Sequence, residues 1–225
     1  MQLSNQKFFL FLVLGLFLFF TSAEVFAQEP QFLLKWGSFG SGDGQLKQPY
    51  GVAIDSLGDI YVVDRLNNRI QKFTSEGIFV TKWGSSGSGD GQFNLPTNIT
   101  IDSFGNIYVA DSRNHRIQKF TSAGIFITKW GSFGTGDSQF NEVYGVAVDS
   151  INNVYVSDRG NHRIQKFTSG GIFITKWGSL GSGDGQLNNP FGVFVGYSDY
   201  VYVTDTFNHR IQKFTSAGIF ITKWG

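Results

Sequence analysis

The sequence predicts an all-β protein, and within that class a β-propeller of four four-stranded blades. Three observations support this: a repeat of 47 residues, four strand-like segments in each repeat, and a polarity that rises from the first segment to the last. A repeat of this length is typical of architectures in which one small structural unit recurs. The repeat is marked by tryptophans at a constant spacing, namely Trp36, Trp83, Trp130, Trp177 and Trp224.

Each repeat carries the pattern of an antiparallel meander. In the first copy, residues 51–55 (GVAID) form a short, almost wholly apolar run, and residues 60–64 (IYVVD) are β-branched and aromatic. Residues 69–74 (RIQKFT) and 78–83 (IFVTKW) are more polar, and a Ser-Glu-Gly turn separates them. A Gly-rich segment then leads to the next copy, so the sequence predicts four short strands in each unit.

The change in polarity along the repeat indicates how the units are arranged. If the first strand lies at a central axis and the fourth at the rim, burial falls off from the first strand to the fourth. Four-stranded sheets placed radially around an axis form a β-propeller. A straight stack of units would not require the first strand to be so much more apolar than the last.

The repeat boundaries place blades at about residues 48–84, 95–131, 142–178 and 189–225. Residues 32–37 match a fourth strand with no blade ahead of it, so we expect one extra N-terminal strand. A four-bladed ring is the favoured arrangement. An open arc and a truncated array remain alternatives, and an open arc would expose the apolar faces of its end blades.

The N-terminus has the pattern of a secretory signal peptide over residues 1–27. Lys7 precedes an apolar run over residues 8–20, and small residues follow, with cleavage expected after Ala27 and Ala23 as the alternative. The run is short for a membrane span, although an uncleaved anchor is an alternative. We therefore expect a secreted, periplasmic or cell-surface protein with no membrane span after cleavage. The chain has no cysteine, which excludes disulfides and thiolate metal sites.

The motif NHRIQKF at residues 114–120, with GVAVD at residues 145–149 and VYVSD at residues 154–158, resembles the NHL repeat, a family of propeller blades. The resemblance extends over residues 34–225. It implies a β-propeller, and it is far less specific about function, since the family includes binding platforms and a few enzymes.

Residues that recur in every copy are interpreted first as parts of the blade. An aspartate that ends the second strand and an arginine that begins the third flank one connection, close enough for a charge-assisted pair. The histidines His115, His162 and His209 follow the same connection and are expected to be structural. The recurring structural set is Asp64 with Arg69, Asp111 with Arg116, Asp158 with Arg163, Asp205 with Arg210, and Trp83, Trp130 and Trp177.

Positions at which the copies differ are better candidates for binding, because blade construction does not dictate them. Just before each innermost strand stand Tyr50, Thr97, Tyr144 and Phe191. In a propeller these residues surround one mouth of the central channel, with Arg65, Arg113 and Arg159 on the same side. An aromatic mouth with basic residues outside it could bind a peptide, a glycan or a small ligand. Ordinary packing of these residues is the alternative.

The sequence indicates no cofactor. Equivalent histidines of a propeller lie on the order of 20 Å apart, whereas zinc needs its nitrogen ligands at about 2.1 Å. Three carboxylates near the axis suggest at most a structural calcium, and capping of a turn is the simpler interpretation. These carboxylates belong to Asp55, Asp102 and Asp149.

The function that we expect is a non-catalytic interaction platform, secreted or attached to the cell envelope, that binds a protein or glycan at one propeller face. An enzyme resembling the metal-dependent amidating lyase of the NHL type is an alternative, but the innermost strands carry no histidine. RNA binding is a second alternative. With 18 basic and 17 acidic residues, the chain lacks the basic field that nucleic acid favours, so no nucleic-acid partner is expected. The sequence does not indicate an oligomeric state.

Overall fold

A computed structural model describes residues 32–225 of the chain. The chain divides into two units, Met1–Leu33 and Leu34–Gly225, and the second unit holds all of the described strands. The predicted signal peptide, residues 1–27, lies outside the described residues. Within residues 32–225, no helix has the length and apolar character needed to cross a membrane.

The predicted all-β, four-bladed β-propeller is confirmed: four separate sheets, each of four antiparallel strands, follow one another along the chain. Blade 1 contains β3 (Pro49–Ile54), β4 (Ile60–Asp64), β5 (Arg69–Phe73) and β6 (Phe79–Trp83). Blade 2 contains β7 (Ile99–Ile101), β8 (Ile107–Asp111), β9 (Arg116–Phe120) and β10 (Phe126–Trp130). Blade 3 contains β13 (Val143–Val148), β14 (Val154–Asp158), β15 (Arg163–Phe167) and β16 (Phe173–Trp177). Blade 4 contains β17 (Pro190–Val195), β18 (Val201–Asp205), β19 (Arg210–Phe214) and β20 (Phe220–Trp224).

A short 3-10 turn joins the second strand of each blade to the third. The residue after each turn has positive φ, between 51° and 55°, which lets the chain reverse into the next strand. Asparagine and histidine hold this position, and asparagine tolerates the left-handed region better than most residues. The four turns are Arg65–Asn67, Ser112–Asn114, Arg159–Asn161 and Thr206–Asn208.

The Gly-rich segments between blades are compact connectors. Before blade 1, β1 (Ser38–Phe39) pairs in parallel with β2 (Gln45–Leu46), and before blade 3, β11 (Ser132–Phe133) pairs in the same way with β12 (Gln139–Phe140). Single parallel bridges, Ser86 with Phe93 and Leu180 with Leu187, take their place before blades 2 and 4. These segments therefore act as folded linkers.

Neighbouring blades are joined by a tryptophan of one blade and a hairpin glycine of the next. The Trp130 ring covers Gly171, at which an added Cβ would lie 2.6 Å from the ring. Gly171 also has φ of +87°, so glycine is required there twice over. The same tryptophan packs against Phe167, with ring centroids 5.8 Å apart. Equivalent contacts join Trp83 to Gly124 and Trp177 to Gly218.

The expectation that burial falls from the first strand to the fourth is wrong. The second strand is the most buried: every residue of Ile107–Asp111 and of Val154–Asp158 is buried. In the first strand of blade 1, by contrast, Val52 and Ile54 are more than half exposed. The physical reason is that the second strand lies between two neighbouring blades, whereas the first strand borders the open central channel.

We call the side of a blade that contacts the next blade its leading face; in blade 3 it carries Tyr155, Ile164 and Trp177, which pack onto blade 4. The equivalent face of blade 4 is bare: Ile211 is 43% exposed, whereas Ile164 is 0% exposed. Within residues 32–225, no hydrophobic cluster joins blade 4 to blade 1. Among these residues the end faces of blades 1 and 4 do not pack on each other, which is the arrangement expected of the open-arc alternative.

Residues 32–37, for which we expected an extra strand, carry no strand pairing. Trp36 nevertheless occupies the place of a fourth-strand tryptophan, since it packs on Phe73 at 6.2 Å and covers Gly77. Within residues 32–225, no strand pairs with the backbone of this segment. Trp36 therefore covers part of blade 1 without adding a strand to it.

Candidate functional site

The residues predicted at the channel mouth come together in the structure. The hydroxyls of Tyr50 in blade 1 and Tyr144 in blade 3 share a hydrogen bond of 2.9 Å, and their ring centroids are 6.0 Å apart. The Phe191 ring of blade 4 lies 4.2 Å from Tyr144. Three of the four blades therefore contribute one aromatic cluster, and we call Tyr50, Tyr144 and Phe191 the aromatic collar.

The innermost strands approach each other closely enough to build this collar. An added Cβ at Gly51 would lie 2.8 Å from the Cα of Asn98 in the next blade, and one at Gly145 would lie 2.7 Å from the Phe191 carbonyl oxygen. Backbone cannot move aside as a flexible side chain can, so these two positions need glycine. Glycine at the start of the innermost strand thus lets neighbouring blades approach closely at the mouth, and at Gly145 this close approach accompanies the contact of Tyr144 with Phe191.

Thr97, the fourth residue predicted at the mouth, has a different role. Its side chain is 1% exposed, and its hydroxyl donates a hydrogen bond of 2.8 Å to the carbonyl oxygen of Tyr144. It therefore holds the backbone of Tyr144 in place, and its hydroxyl is not free to bind a ligand. Thr97 borders the shallow pocket of about 180 Å³ that the collar surrounds.

Burial controls the ionisation of the collar. Desolvation, followed by the hydrogen bond with Tyr50, raises the pKa of Tyr144 to about 12. The Tyr144 hydroxyl therefore keeps its proton at neutral pH. It can donate or accept a hydrogen bond there, but it cannot act as a base, which would require a pKa near the working pH.

The predicted basic residues surround the collar. The Arg65 guanidinium lies 5.1 Å from the centre of the Tyr50 ring, and that of Arg159 lies 4.9 Å from the Phe191 ring, both within cation–π distance. Arg113 does not contact the aromatic rings of the collar; it is exposed and pairs with Glu142 at 2.9 Å. These contacts hold the basic groups at fixed places around the mouth.

Glu142 breaks the repeat next to the mouth, and its partners there could not be predicted from the sequence. It accepts from Arg113 and also from Arg159, the latter at 2.5 Å, so one carboxylate joins two arginines. The departure itself is visible in the repeat, since the equivalent positions hold Gln48, Leu95 and Asn189, none of them charged.

The opposite end of the channel holds a larger cavity, which the sequence did not indicate. Its volume is about 640 Å³, and aliphatic side chains of all four blades form much of its wall. Asp199 lies at its edge, where hydrogen bonds from Ser150 lower the pKa of its carboxyl. The lining includes Ile54, Ile101, Val148, Phe194 and Val195. The one available signal is Phe194, which replaces the alanine or threonine of the other copies.

The recurring aspartates and arginines form one polar network in each blade. Arg69 donates from Nε to Asp64 at 2.7 Å and from its other nitrogens to the carbonyls of Ser41, Gly42 and Gln45. All of its nitrogens are thus used to fasten the preceding Gly-rich linker. The other copies repeat the pair at 2.7–2.8 Å: Asp111 with Arg116, Asp158 with Arg163, and Asp205 with Arg210.

Two of the histidines link neighbouring blades through hydrogen bonds. His115 follows the 3-10 turn of blade 2, and its Nδ1 accepts a hydrogen bond of 3.1 Å from the backbone N–H of Glu142 in the blade 3 linker region. His162 accepts in the same way from Asn189. Burial lowers the pKa of His115, which keeps the ring neutral and Nδ1 free to accept. His209 occupies the equivalent position in blade 4.

The carboxylates considered for calcium are occupied within their own blades. Asp102 accepts from the backbone N–H groups of Phe104 and Asn106 and from the Tyr108 hydroxyl. Lys119 lies 3.7 Å away. Asp55 and Asp149 have the equivalent partners. These hydrogen bonds from backbone N–H groups two and four residues ahead are those of turn capping, the simpler interpretation of the three carboxylates.

Comparisons with known proteins agree on the repeat. The family model of the NHL repeat matches residues 46–73, 93–120 and 140–167. The chain is 46% identical over 50 residues to protein lin-41 of Caenorhabditis elegans, which is 22% of this chain and 4% of that protein. It is 55% identical over 40 residues to the E3 ubiquitin-protein ligase TRIM71 of Mus musculus, which is 18% of this chain and 5% of that protein. These matches are about one repeat long.

Solved structures resemble the chain in fold. A virginiamycin B lyase from Staphylococcus aureus, catalytically inactive and with quinupristin, superposes with a TM-score of 0.61 at 20% identity, over 78% of this chain and 55% of that one. A nidogen/laminin complex gives a TM-score of 0.60 at 20% identity, over 80% of this chain and 64% of that one. At this identity the likeness concerns the fold alone, and the chain spans less than two thirds of either protein.

Proposed function

The chain carries NHL repeats, and from that premise we propose that it is a non-catalytic interaction platform whose channel mouth binds a protein or carbohydrate partner. The binding surface is the aromatic collar together with Arg65 and Arg159. In this proposal the recurring polar residues build the blades, and the mouth provides specificity. The chain acts outside the cytoplasmic membrane, either secreted or attached to the envelope, as the pattern of residues 1–27 indicates.

One observation carries the proposal: residues that break the repeat converge on one mouth. Tyr50 and Tyr144 are 94 positions apart and still share a hydrogen bond. The polar residues that all four copies share are consumed by contacts within the blades, so they are not available to a partner. Aromatic and arginine side chains are enriched where protein interfaces bind most strongly. The mouth combines both in a fixed arrangement.

The experiment is selection of binders from a random peptide library and a glycan array, with the mature chain and the Tyr50→Ala/Tyr144→Ala double variant. Loss of a central aromatic anchor weakens binding by about tenfold or more. The selected ligands should therefore bind the double variant at least about tenfold more weakly than the wild type. The matched control is Phe104→Ala, an exposed aromatic residue in the turn after the first strand of blade 2.

A thermal melt of each variant establishes that the blades remain folded, and Tyr50→Ala alone serves as the milder variant because Tyr50 is the more exposed of the two tyrosines. Ligands that bind the folded double variant as tightly as the wild type would exclude the mouth as the binding surface. A selection that returns no ligand would contradict the proposal as well.

A further inference from the structure

The charges around the mouth are unevenly compensated. Three guanidinium groups and one carboxylate occupy this rim, which leaves a net charge of two positive units. Glu142 neutralises part of the charge of Arg113 and Arg159, at 2.9 Å and 2.5 Å. One of these two units is shared by Arg113 and Arg159 around Glu142, and the other belongs to the arginine on the side of the mouth that Glu142 does not reach.

Arg65 is the arginine on that side. Its Nη1 donates a hydrogen bond of 2.8 Å to Gln48, a neutral group, and its guanidinium rests on the Tyr50 ring. Among the described residues, no carboxylate lies within salt-bridge distance of Arg65, and its buried Nε has no hydrogen-bond partner. Its position is thus fixed by Tyr50 and Gln48 while its charge is left without a counterion.

A shallow pocket lies next to this arginine. It is about 180 Å³ in volume and is bordered by Tyr50, Thr97, Tyr144, Phe191 and the neighbouring glycines. Sites for whole small molecules are typically about 300–1,000 Å³, so this pocket suits a single side chain. Its aromatic walls favour an apolar side chain.

Building on the proposed function, we infer that the partner is an acidic protein segment: a carboxylate side chain pairs with Arg65, and a neighbouring apolar side chain fills the pocket between Tyr50 and Tyr144. Arginine is suited to this because its planar fork can donate two parallel hydrogen bonds to one carboxylate. The cation already rests on an aromatic ring, so little side-chain entropy is lost when the pair forms.

The charge count favours a peptide over a nucleic acid. Proteins that bind nucleic acid through its phosphates commonly neutralise about 6–10 of them. The mouth offers a net two positive charges, and Glu142 would repel phosphates that approach Arg113 or Arg159. A peptide with one or two carboxylates matches the charge that is present.

Glu142 competes with an acidic partner for the arginines of the mouth. It occupies two arginines that could otherwise attract the partner, so it acts as an internal competitor. Removing its charge should strengthen the binding of an acidic segment, whereas loss of Arg65 should weaken it. Opposite effects from two substitutions at one rim are not expected from a change in folding.

The test is fluorescence anisotropy with a labelled, capped peptide of repeated Glu-Leu-Gly triplets, and with the Gln-Leu-Gly peptide as its neutral counterpart. Hydrogen bonds to charged groups contribute about 1.5–3 kcal/mol, so Arg65→Gln should lower the affinity for the Glu peptide by about tenfold or more. Glu142→Gln should tighten it by roughly threefold to tenfold, which is typical of removing a rim charge of the same sign. Lys82→Gln is the matched control, because Lys82 lies in the outer strand of the same blade and pairs with Asp43.

Thermal melts accompany each variant, and Arg65→Lys keeps the charge while removing the planar fork. Equal affinity for the Glu and Gln peptides, with both lost in the Tyr50→Ala/Tyr144→Ala variant, would overturn the acidic partner and leave the platform intact. No measurable binding of the Glu peptide to the wild type would overturn it as well. An oligouridylate that binds more tightly than the Glu peptide and depends on Arg65 would assign the mouth to nucleic acid instead.

Discussion

Blades 3 and 4 have almost the same sequence from the third strand onward and end in different surroundings. Residues 162–178 and 209–225 differ at one position. The leading face of blade 3 is covered by blade 4, so Ile164 is fully buried, whereas Ile211 in the same position of blade 4 is 43% exposed. Trp224 is likewise half exposed, while the Nε1 of Trp177 is buried. The difference shows that a residue of the leading face is buried by the neighbouring blade that packs on it, and not by its own blade.

Alkaline pH should produce the largest loss of stability, because it acts together on the buried interfaces between neighbouring blades, which we call the covered joints. Burial, then the carboxylates of Asp102 and Asp149, raises the pKa of Tyr108 and Tyr155. An unfolded tyrosine ionises near pH 10, so above that pH the unfolded chain loses protons that the folded chain keeps. Stability is thus complete below about pH 10 and falls as the pH rises above it.

The measurement is ultraviolet absorbance of tyrosinate together with circular dichroism over an alkaline titration. We expect the tyrosines of the covered joints to ionise in the same transition in which the strands are lost. Their ionisation in a folded protein would mean that the joints admit water, and the contrast between covered and bare faces would disappear.

Truncation of one isoleucine in each of the two blades tests the contrast directly. Ile164→Ala should lower the free energy of unfolding by about 2–5 kcal/mol, because it opens a cavity in a covered joint. Ile211→Ala should change it by less than about 1 kcal/mol, since partly exposed side chains contribute little. Urea unfolding followed by tryptophan fluorescence gives both values. Equal losses would show that the leading face of blade 4 is covered in solution.

A glycine pair shows how much of the joint depends on the inserted tryptophan. Gly171→Ala places a Cβ 2.6 Å from the Trp130 ring, and overpacking of this kind costs about 1–3 kcal/mol. Gly105→Ala is the control: its φ of +79° brings similar backbone strain, but nothing lies within 4 Å of the added Cβ. The difference in unfolding free energy between the two variants isolates the tryptophan contact. No difference would mean that the tryptophan can move aside.

The smallest effect concerns the outer rim, where blades 3 and 4 do not differ. Lys176 pairs with Asp137 at 2.6 Å, and Lys223 pairs with Asp184 at 2.7 Å, all with side chains about half exposed. Exposed pairs contribute about 0–1 kcal/mol, so Lys176→Gln and Lys223→Gln should each change stability by less than that, and equally. Thermal melts at low and high salt measure the effect. A clear difference between the two would extend the contrast between the blades to their rims.

The repeat alone predicted the four blades, the polar pairs that follow the second strand and the mouth residues at the start of each first strand. It failed on the burial of the first strand, because apolar composition does not reveal that one side of a strand faces an open channel. It also could not predict that Glu142 pairs with two arginines, since a single departure from the repeat indicates a difference without indicating a partner. The cavity beyond Phe194 escaped notice for the same reason.

The sequence by itself determined the blade, because the residues that form its strands, its turns and its aspartate–arginine network all lie within one repeat of the chain. Only the tertiary structure decided which blade faces are covered and which side chains meet at the mouth. Blades 3 and 4 could not reveal their difference through their own residues, since burial depends on whatever packs against them. Tyr50 and Tyr144 likewise meet because the blades curve around an axis, and that curvature is the sum of all the joints between them.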